Sequence, residues 1–224
     1  GSDGTSYKTT TDVKGYYHFD KTKILGATTY DIKVAKKGYW ENGNTAKATT
    51  VGLEENTDLK QDFMLEPIPK EPILLPEILY DLAKWDLKPQ YKDSLMYLYN
   101  IMVKNPTIVI ELRSHTDSRV TEERNDILSQ NRAQSCVDFL VNEKGIAADR
   151  IVAKGYGERV PRRLEKDMYS TYNGKKYFFP KGTYLTESYC ESLPTKPERE
   201  AAHQLNRRTE FIILRDDYVP SNDN

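Results

Sequence analysis

The stretch Ile68-Pro69-Lys70-Glu71-Pro72 constrains this chain more than any other. Proline fixes φ and has no backbone N–H, so prolines at this spacing continue neither a helix nor a central strand. The stretch reads as a short stiff linker, 68–72, between a segment 1–67 and a segment 73–217, with a tail over 218–224. A chain of 224 residues can bury about 70% of its unfolded surface, enough for one large domain or two small ones. The 33 Lys+Arg nearly balance the 34 Asp+Glu, without the basic excess of a nucleic-acid binder, so no nucleic-acid partner is expected. No run reaches the roughly 18 apolar residues of a membrane helix, so no transmembrane segment is expected in this chain.

The two segments have different textures. Before the linker, Tyr30, Ile32 and Val34 alternate with Asp31, Lys33 and Ala35, the pattern of a half-buried strand. Gly38-Tyr39 makes a turn, and Leu59 to Leu65 is expected to form a last strand. So few strands are little for a complete sandwich, and this one is expected to be truncated, without its first strand or strands. After the linker the texture is α/β. Glu77-Ile78-Leu79-Tyr80 reads as a strand. Tyr91 to Lys104 reads as an amphipathic helix with Leu95, Leu98, Ile101 and Met102 inward, and Ile108 to Leu112 as a β-branched strand. Thr121 is an expected N-cap, with Glu122 and Glu123 where the helix dipole favours acids. That helix carries Ile127, Leu128, Cys136, Val137, Leu140 and Val141 and stops at Lys144-Gly145. Arg150 to Tyr156 is a third strand, Glu198 to Leu205 a short helix and Thr209 to Leu214 a final strand. Between Pro161 and Pro197 an excursion rich in Tyr, Lys and Gly is expected to be ordered around Tyr177-Phe178-Phe179-Pro180.

The chemistry-bearing residues cluster after the second strand of the later segment. Asn125, Leu128 and Arg132 share one helix face, and Asp117 lies in the loop feeding that helix, fifteen residues before Arg132. Strand, loop and helix can bring a carboxylate and a guanidinium to opposite walls of one cleft. A zwitterion on one carbon needs such a pair, and the planar fork of Arg suits its carboxylate better than Lys would. On spacing alone the favoured reading is that Asp117 and Arg132 pair with each other or with neighbours and steady the fold.

His115-Thr116-Asp117-Ser118-Arg119, then Asn125-x-x-Leu128-Ser129-x-x-Arg132-Ala133, Gly155-Tyr156-Gly157-Glu158 with Pro161, and Asn206-Arg207-Arg208-Thr209-Glu210-Phe211 follow one another along the chain. In this order they resemble the OmpA C-terminal-like domain over 73–217. The earlier segment is similar to the carboxypeptidase-regulatory-like module, through Thr11-Asp12-Val13-Lys14-Gly15-Tyr16 and Tyr30-Asp31-Ile32-Lys33-Val34 before Gly38-Tyr39. The resemblances imply an α+β chain: a partial prealbumin-like β-sandwich, then an α/β sandwich with a four-stranded mixed sheet and two to three helices. They imply non-covalent binding of peptidoglycan through the diaminopimelate of its stem peptide. By position, Asp117 takes the ligand's ammonium and Arg132 its carboxylate, while Thr116, Asn125 and Leu128 line the site. Leu82 and Ala83 stand in the segment after the first strand, Ala83 where the family usually has Asp, and contribute backbone and apolar contact. Asn206, Arg207 and Arg208 are expected to brace the loop carrying Asp117. The implied location is the periplasm, associated with the outer membrane, with other periplasmic or outer-membrane proteins as partners. The pairing of modules is similar to the wall-anchoring component of the type IX secretion machinery.

Enzyme chemistry finds little support. His18, His115 and His203 are the only histidines, and no H-E-x-x-H, paired-Cys zinc motif, G-x-S-x-G elbow or Walker loop occurs. Neither metal nor cofactor is expected. The alternative is a protein–protein scaffold of a periplasmic complex with no wall ligand.

Overall fold

The computed structural model describes residues 1–220 except 42, 56, 77, 79 and 81–83. The chain divides into two compact units, Gly1–Ile68 and Pro69–Asn224. In the first, β1 (Thr29–Lys33) and β2 (Thr45–Thr49) pair antiparallel, with Thr29 opposite Thr49 and Lys33 opposite Thr45. The Thr11–Tyr16 turn closes on Asp12, whose Oδ1 accepts from the amides of Lys14 at 2.8 Å and Tyr16 at 2.9 Å. The strand expected over Leu59 to Leu65 does not form. Among the described residues this unit has one two-stranded sheet and not two packed sheets. The cause is a shortage of apolar residues to place between sheets: Tyr30 is the one buried hydrophobic side chain described here, while Val13 and Met64 lie in solvent.

The second unit is built on a mixed four-stranded sheet. Its strands are β3 (Ile73–Leu74), β4 (Val109–His115), β5 (Ile151–Gly155) and β8 (Arg208–Arg215), in the order β3-β8-β4-β5. β4 and β5 run parallel, and β8 runs antiparallel to both β3 and β4. Among the described residues the first strand is Ile73–Leu74; of the expected strand over 77–80, residues 77 and 79 lie outside the described residues. Leu75 also donates its amide to Thr209 O at 3.0 Å, while Pro76 has no N–H to donate.

α1 (Lys92–Lys104) buries Leu95, Leu98 and Met102, while Ile101 is only half-buried. α2 (Glu122–Asp138) makes the parallel crossover from β4 to β5 and begins at Thr121, whose hydroxyl accepts from the Arg124 amide. A wider turn over Phe139–Glu143 continues it, and Gly145 at φ 74° ends it. Its Ile127 faces solvent, against the sequence pattern. The helix lies against the end of β5 because Gly155 has no side chain. A Cβ there would meet Gln130 N at 2.3 Å and Ser129 Oγ at 2.5 Å.

The excursion folds as a hairpin, β6 (Met168–Tyr172) and β7 (Lys175–Phe179), then α3 (Glu187–Ser192), with α4 (Lys196–Asn206) leading into β8. Asn173 at φ 49° and Gly174 at φ 76° supply the two left-handed residues of a tight hairpin turn. Leu164, Phe179, Leu185 and Cys190 pack with Ala201, Ala202 and Leu205 of α4, and Tyr177 joins them partly buried. Phe178, expected in that core, instead faces outward, as strand alternation next to a buried Phe179 requires.

Candidate functional site

The register of β4 and β8 places His115 opposite Arg208. Asp117, just beyond β4, and Arg207, just before β8, therefore meet at one edge of the sheet although ninety residues separate them. Asp117 is 7% exposed. Its Oδ2 accepts from Arg119 Nη2 at 2.8 Å and from Arg207 Nη1. Among the described residues its Oδ1 receives only the Arg119 amide, at 3.4 Å, and so keeps acceptor capacity. Burial pushes this carboxyl up, but the bonds and charges of Arg119 and Arg207 outweigh burial and hold it below the ordinary carboxylate range.

Arg132 reaches the same edge from α2 and is 8% exposed. Its Nε donates to Lys84 O at 3.0 Å, and its guanidinium lies 4.7 Å from the Tyr80 ring centroid. Among the described residues its two Nη groups donate to nothing. Burial lowers its pKa, and the positive charge of Arg207 adds to that. A desolvated fork with open donors is a receptor for a carboxylate. The Tyr80 hydroxyl fixes the ring, donating to Arg132 O at 3.3 Å and lying 3.1 Å from Cys136 Sγ.

Asn125 is placed differently from a wall between the two charges. It is 1% exposed, and its Nδ2 donates to Asp117 O at 2.8 Å and to the Glu158 carboxylate. It positions the Asp117 loop. Thr116 donates its amide to Gly157 O at 2.9 Å, and its buried hydroxyl has no partner among the described residues. Leu128 is half-buried on α2. Leu82 and Ala83 lie outside the described residues. Of the residues expected as braces, Arg207 holds Asp117. Arg208 instead donates to Glu210 Oε2 at 2.9 Å and to Val160 O, and Asn206 ties the excursion through Arg162 N and Leu185 O. Register explains the split: Arg208 and Glu210 are alternate residues of β8 and share a face, whereas Arg207 precedes the strand.

Two hollows flank the Asp117–Arg207 pair. One is lined by Tyr80, Arg132, Arg207 and Arg208 and is basic. The other is lined by Asp117, Glu122, Glu158 and Glu187 with Arg159 and is acidic. Asp117 and Arg132 thus line different hollows, and Arg207, which lines the basic one, donates to Asp117 of the acidic one. The sequence pattern did not point to Arg119, Glu158 or Tyr80 as parts of this site. Arg119 stood within the quoted motif, but the ring of Tyr80 lies 52 positions from Arg132 and no local spacing announces it. Among the described residues no cluster of His, Cys, Asp and Glu is arranged to hold a metal ion, and no helix is long and apolar enough to cross a membrane.

Residues 79–170 match the model of the OmpA family. Outer membrane protein A of Shimwellia blattae is 39% identical over 89 residues, covering 38% of this chain and 36% of that protein. The photosystem I P700 chlorophyll a apoprotein A2 of Gloeobacter violaceus is 31% identical over 149 residues, 66% of this chain and 17% of that protein. The chain therefore spans well under half the length of either relative. The peptidoglycan-associated lipoprotein of Burkholderia pseudomallei is 18% identical and aligns over 61% of this chain and 88% of its own, with a TM-score of 0.41. The second unit accordingly contains an OmpA-like domain, of mixed α/β fold with a four-stranded mixed sheet.

Proposed function

We propose that this chain binds peptidoglycan non-covalently and anchors an envelope assembly to the cell wall, gripping the zwitterionic centre of diaminopimelate in the stem peptide. The observation that carries this reading is the open fork of Arg132 in the basic hollow together with the spare acceptor capacity of Asp117 Oδ1 in the acidic one. The ligand's carboxylate enters the basic hollow and replaces lost hydration with two parallel bonds to Arg132. Its ammonium takes Oδ1. Each charge-assisted bond contributes about 1.5–3 kcal/mol. Arg207 and Arg119 keep Asp117 ionised and oriented, and Asn125 holds its backbone. On this reading the module binds its ligand and does not turn it over. The protein then works in the periplasm at the outer membrane, beside other envelope proteins. The order of its two segments, similar to the wall-anchoring component of type IX secretion, makes a secretion assembly the proposed cargo.

One observation favours a second reading, a protein scaffold with no wall ligand. Asp117 already has two guanidinium partners, an arrangement that also serves the fold alone. Co-sedimentation with diaminopimelate-type sacculi separates the readings. Wild type is expected to pellet, with Asp117→Ala and Arg132→Ala left in the supernatant though folded by circular dichroism. Arg132→Lys keeps charge without the fork and is expected to bind about tenfold more weakly. Equal pelleting of all four chains, or of none, selects the scaffold.

A further inference from the structure

The β6–β7 hairpin has one covered face and one bare face. Phe179 and Ser170 are buried, and Met168, Tyr172 and Tyr177 pack on the excursion's small core. Tyr169, Thr171, Lys176 and Phe178 turn to solvent. Tyr169 and Phe178 stand opposite each other with ring centroids 5.3 Å apart, yet they are 63% and 53% exposed. Thr171 and Lys176, the next outward pair, put a hydroxyl and an ammonium at the edge of this aromatic platform. Such a pair repays cross-strand packing only in part and leaves a large apolar surface in water, the usual mark of an interaction site.

The second observation is charge. Arg162, Arg163, Lys166, Lys175, Lys176 and Lys181 stand against Glu165 and Asp167 in this hairpin and its flanks, in a chain whose net charge is −1. Arg163, Lys166, Lys176 and Lys181 are exposed and make no ion pair among the described residues. The face is thus a pair of exposed rings with Lys176 beside them, on a hairpin whose flanks carry a cationic excess, which favours an anionic ligand with apolar faces.

We propose that this face is a second wall contact that binds the glycan strand itself, a proposal that rests on the wall-binding reading above. The C–H faces of the amino sugars stack on Tyr169 and Phe178, and Lys176 attracts the free lactyl carboxylate of muramic acids that bear no stem peptide. The Asp117 site reads one amino-acid centre; the hairpin reads the polysaccharide that bears it. A wall fragment engaging both is held by two linked contacts, so each raises the effective concentration of the other.

The test uses the full chain and two probes. One is glycan strand stripped of stem peptides by an amidase, which leaves a free lactyl carboxylate on each muramic acid. The other is a glycan-free stem peptide containing diaminopimelate. Tyr169→Ala/Phe178→Ala alters only outward side chains and is expected to bind stripped strands about tenfold more weakly, with stem-peptide affinity unchanged. Asp117→Ala is expected to do the reverse. Failure of wild type to bind stripped strands, or equal binding by the double variant, overturns the hairpin proposal and assigns the face to a protein partner. Loss of stem-peptide binding in wild type, with strand binding intact, overturns the Asp117 reading alone.

Discussion

Two buried carboxylates stand at the same end of the sheet and are finished differently. Glu210 spends both oxygens within the protein: Oε1 lies 3.0 Å from His115 Nε2, and Oε2 takes Arg208 Nε at 2.9 Å. Arg208 in turn donates from Nη1 to the carbonyls of Val160 and Asn206 and from Nη2 to Val160 O. Burial lowers the pKa of His115, so at neutral pH its ring is uncharged and donates Nε2–H to the carboxylate. Asp117 crowds two guanidiniums onto one oxygen and leaves the other open, with the unfilled fork of Arg132 nearby. A network whose carboxylate is spent within the protein holds structure together, even with His115 Nδ1 buried and without a partner among the described residues. One that stops short keeps its remaining capacity for something else.

The largest expected effect breaks the closed network. Glu210→Ala strands Arg208, whose side chain is 7% exposed, beside a polar His115 at 1%. Removing one partner of a buried charge pair costs about 3–5 kcal/mol. Asp117→Ala frees Arg207 and Arg119, whose side chains are 28% and 42% exposed and can recover water. Its cost is expected to be about 1–2 kcal/mol. Denaturant titration of the second unit, followed through its own transition, checks the order. Equal losses would erase the distinction between a structural and a receptive carboxylate.

Acid sharpens the same contrast with a smaller effect. Burial raises the Glu210 carboxyl, but His115 and Arg208 overcome it and hold it down at about 2, from an ordinary 4.5. The unfolded chain therefore binds the Glu210 proton more readily, and this stabilisation is complete above about 4.5 and lost as pH falls toward about 2. His115 shifts down from 6.5 with the same sign, so protonating the unfolded chain erodes stability as pH drops below that value. Stability is expected to be level above neutral pH, to slope gently below it, and to fall steeply under pH 4.5. In Glu210→Gln the steep part should flatten. An unchanged acid profile in that variant would place the dominant titration elsewhere.

The sequence disclosed the elements of the second unit better than the details of its site. Thr121 as a cap, Gly145 as a stop and the β-branched strand around Ile110 are local signals, and local physics decides them. The meeting of Asp117 with Arg207 is set by β4–β8 register, which no short window contains, so the brace was legible only through the motif order. Ile127 misled because an apolar residue at helical spacing says nothing of which neighbours cover it. The hairpin turn at Asn173-Gly174 is a local signal too, but the Tyr and Lys residues around it mask the alternation of its strands. In the first unit a strand pattern existed over Leu59 to Leu65 without a second apolar face to pack against. Propensity proposed a strand there, and burial did not support it.

The smallest effect concerns what holds the receptive side open. Tyr80 supports Arg132 in two separable ways: its ring lies under the guanidinium, and its hydroxyl ties that ring to Arg132 O and Cys136 Sγ. Tyr80→Phe keeps the ring and removes both polar contacts, leaving Cys136 Sγ a weak partner that tolerates an apolar neighbour. Stability is expected to fall by about 0.5–1.5 kcal/mol, and stem-peptide affinity to stay within about twofold, since the fork and its stacked ring survive. Tyr80→Ala removes the ring as well, letting the fork wander and water reach it. Its affinity is expected to drop about tenfold. Isothermal titration of both variants against the same peptide decides whether stacking or the hydroxyl positions Arg132. If Tyr80→Phe falls as far as Tyr80→Ala, the hydroxyl's tie to α2 orients the guanidinium, and the receptive network is more nearly closed than its unfilled donors suggest.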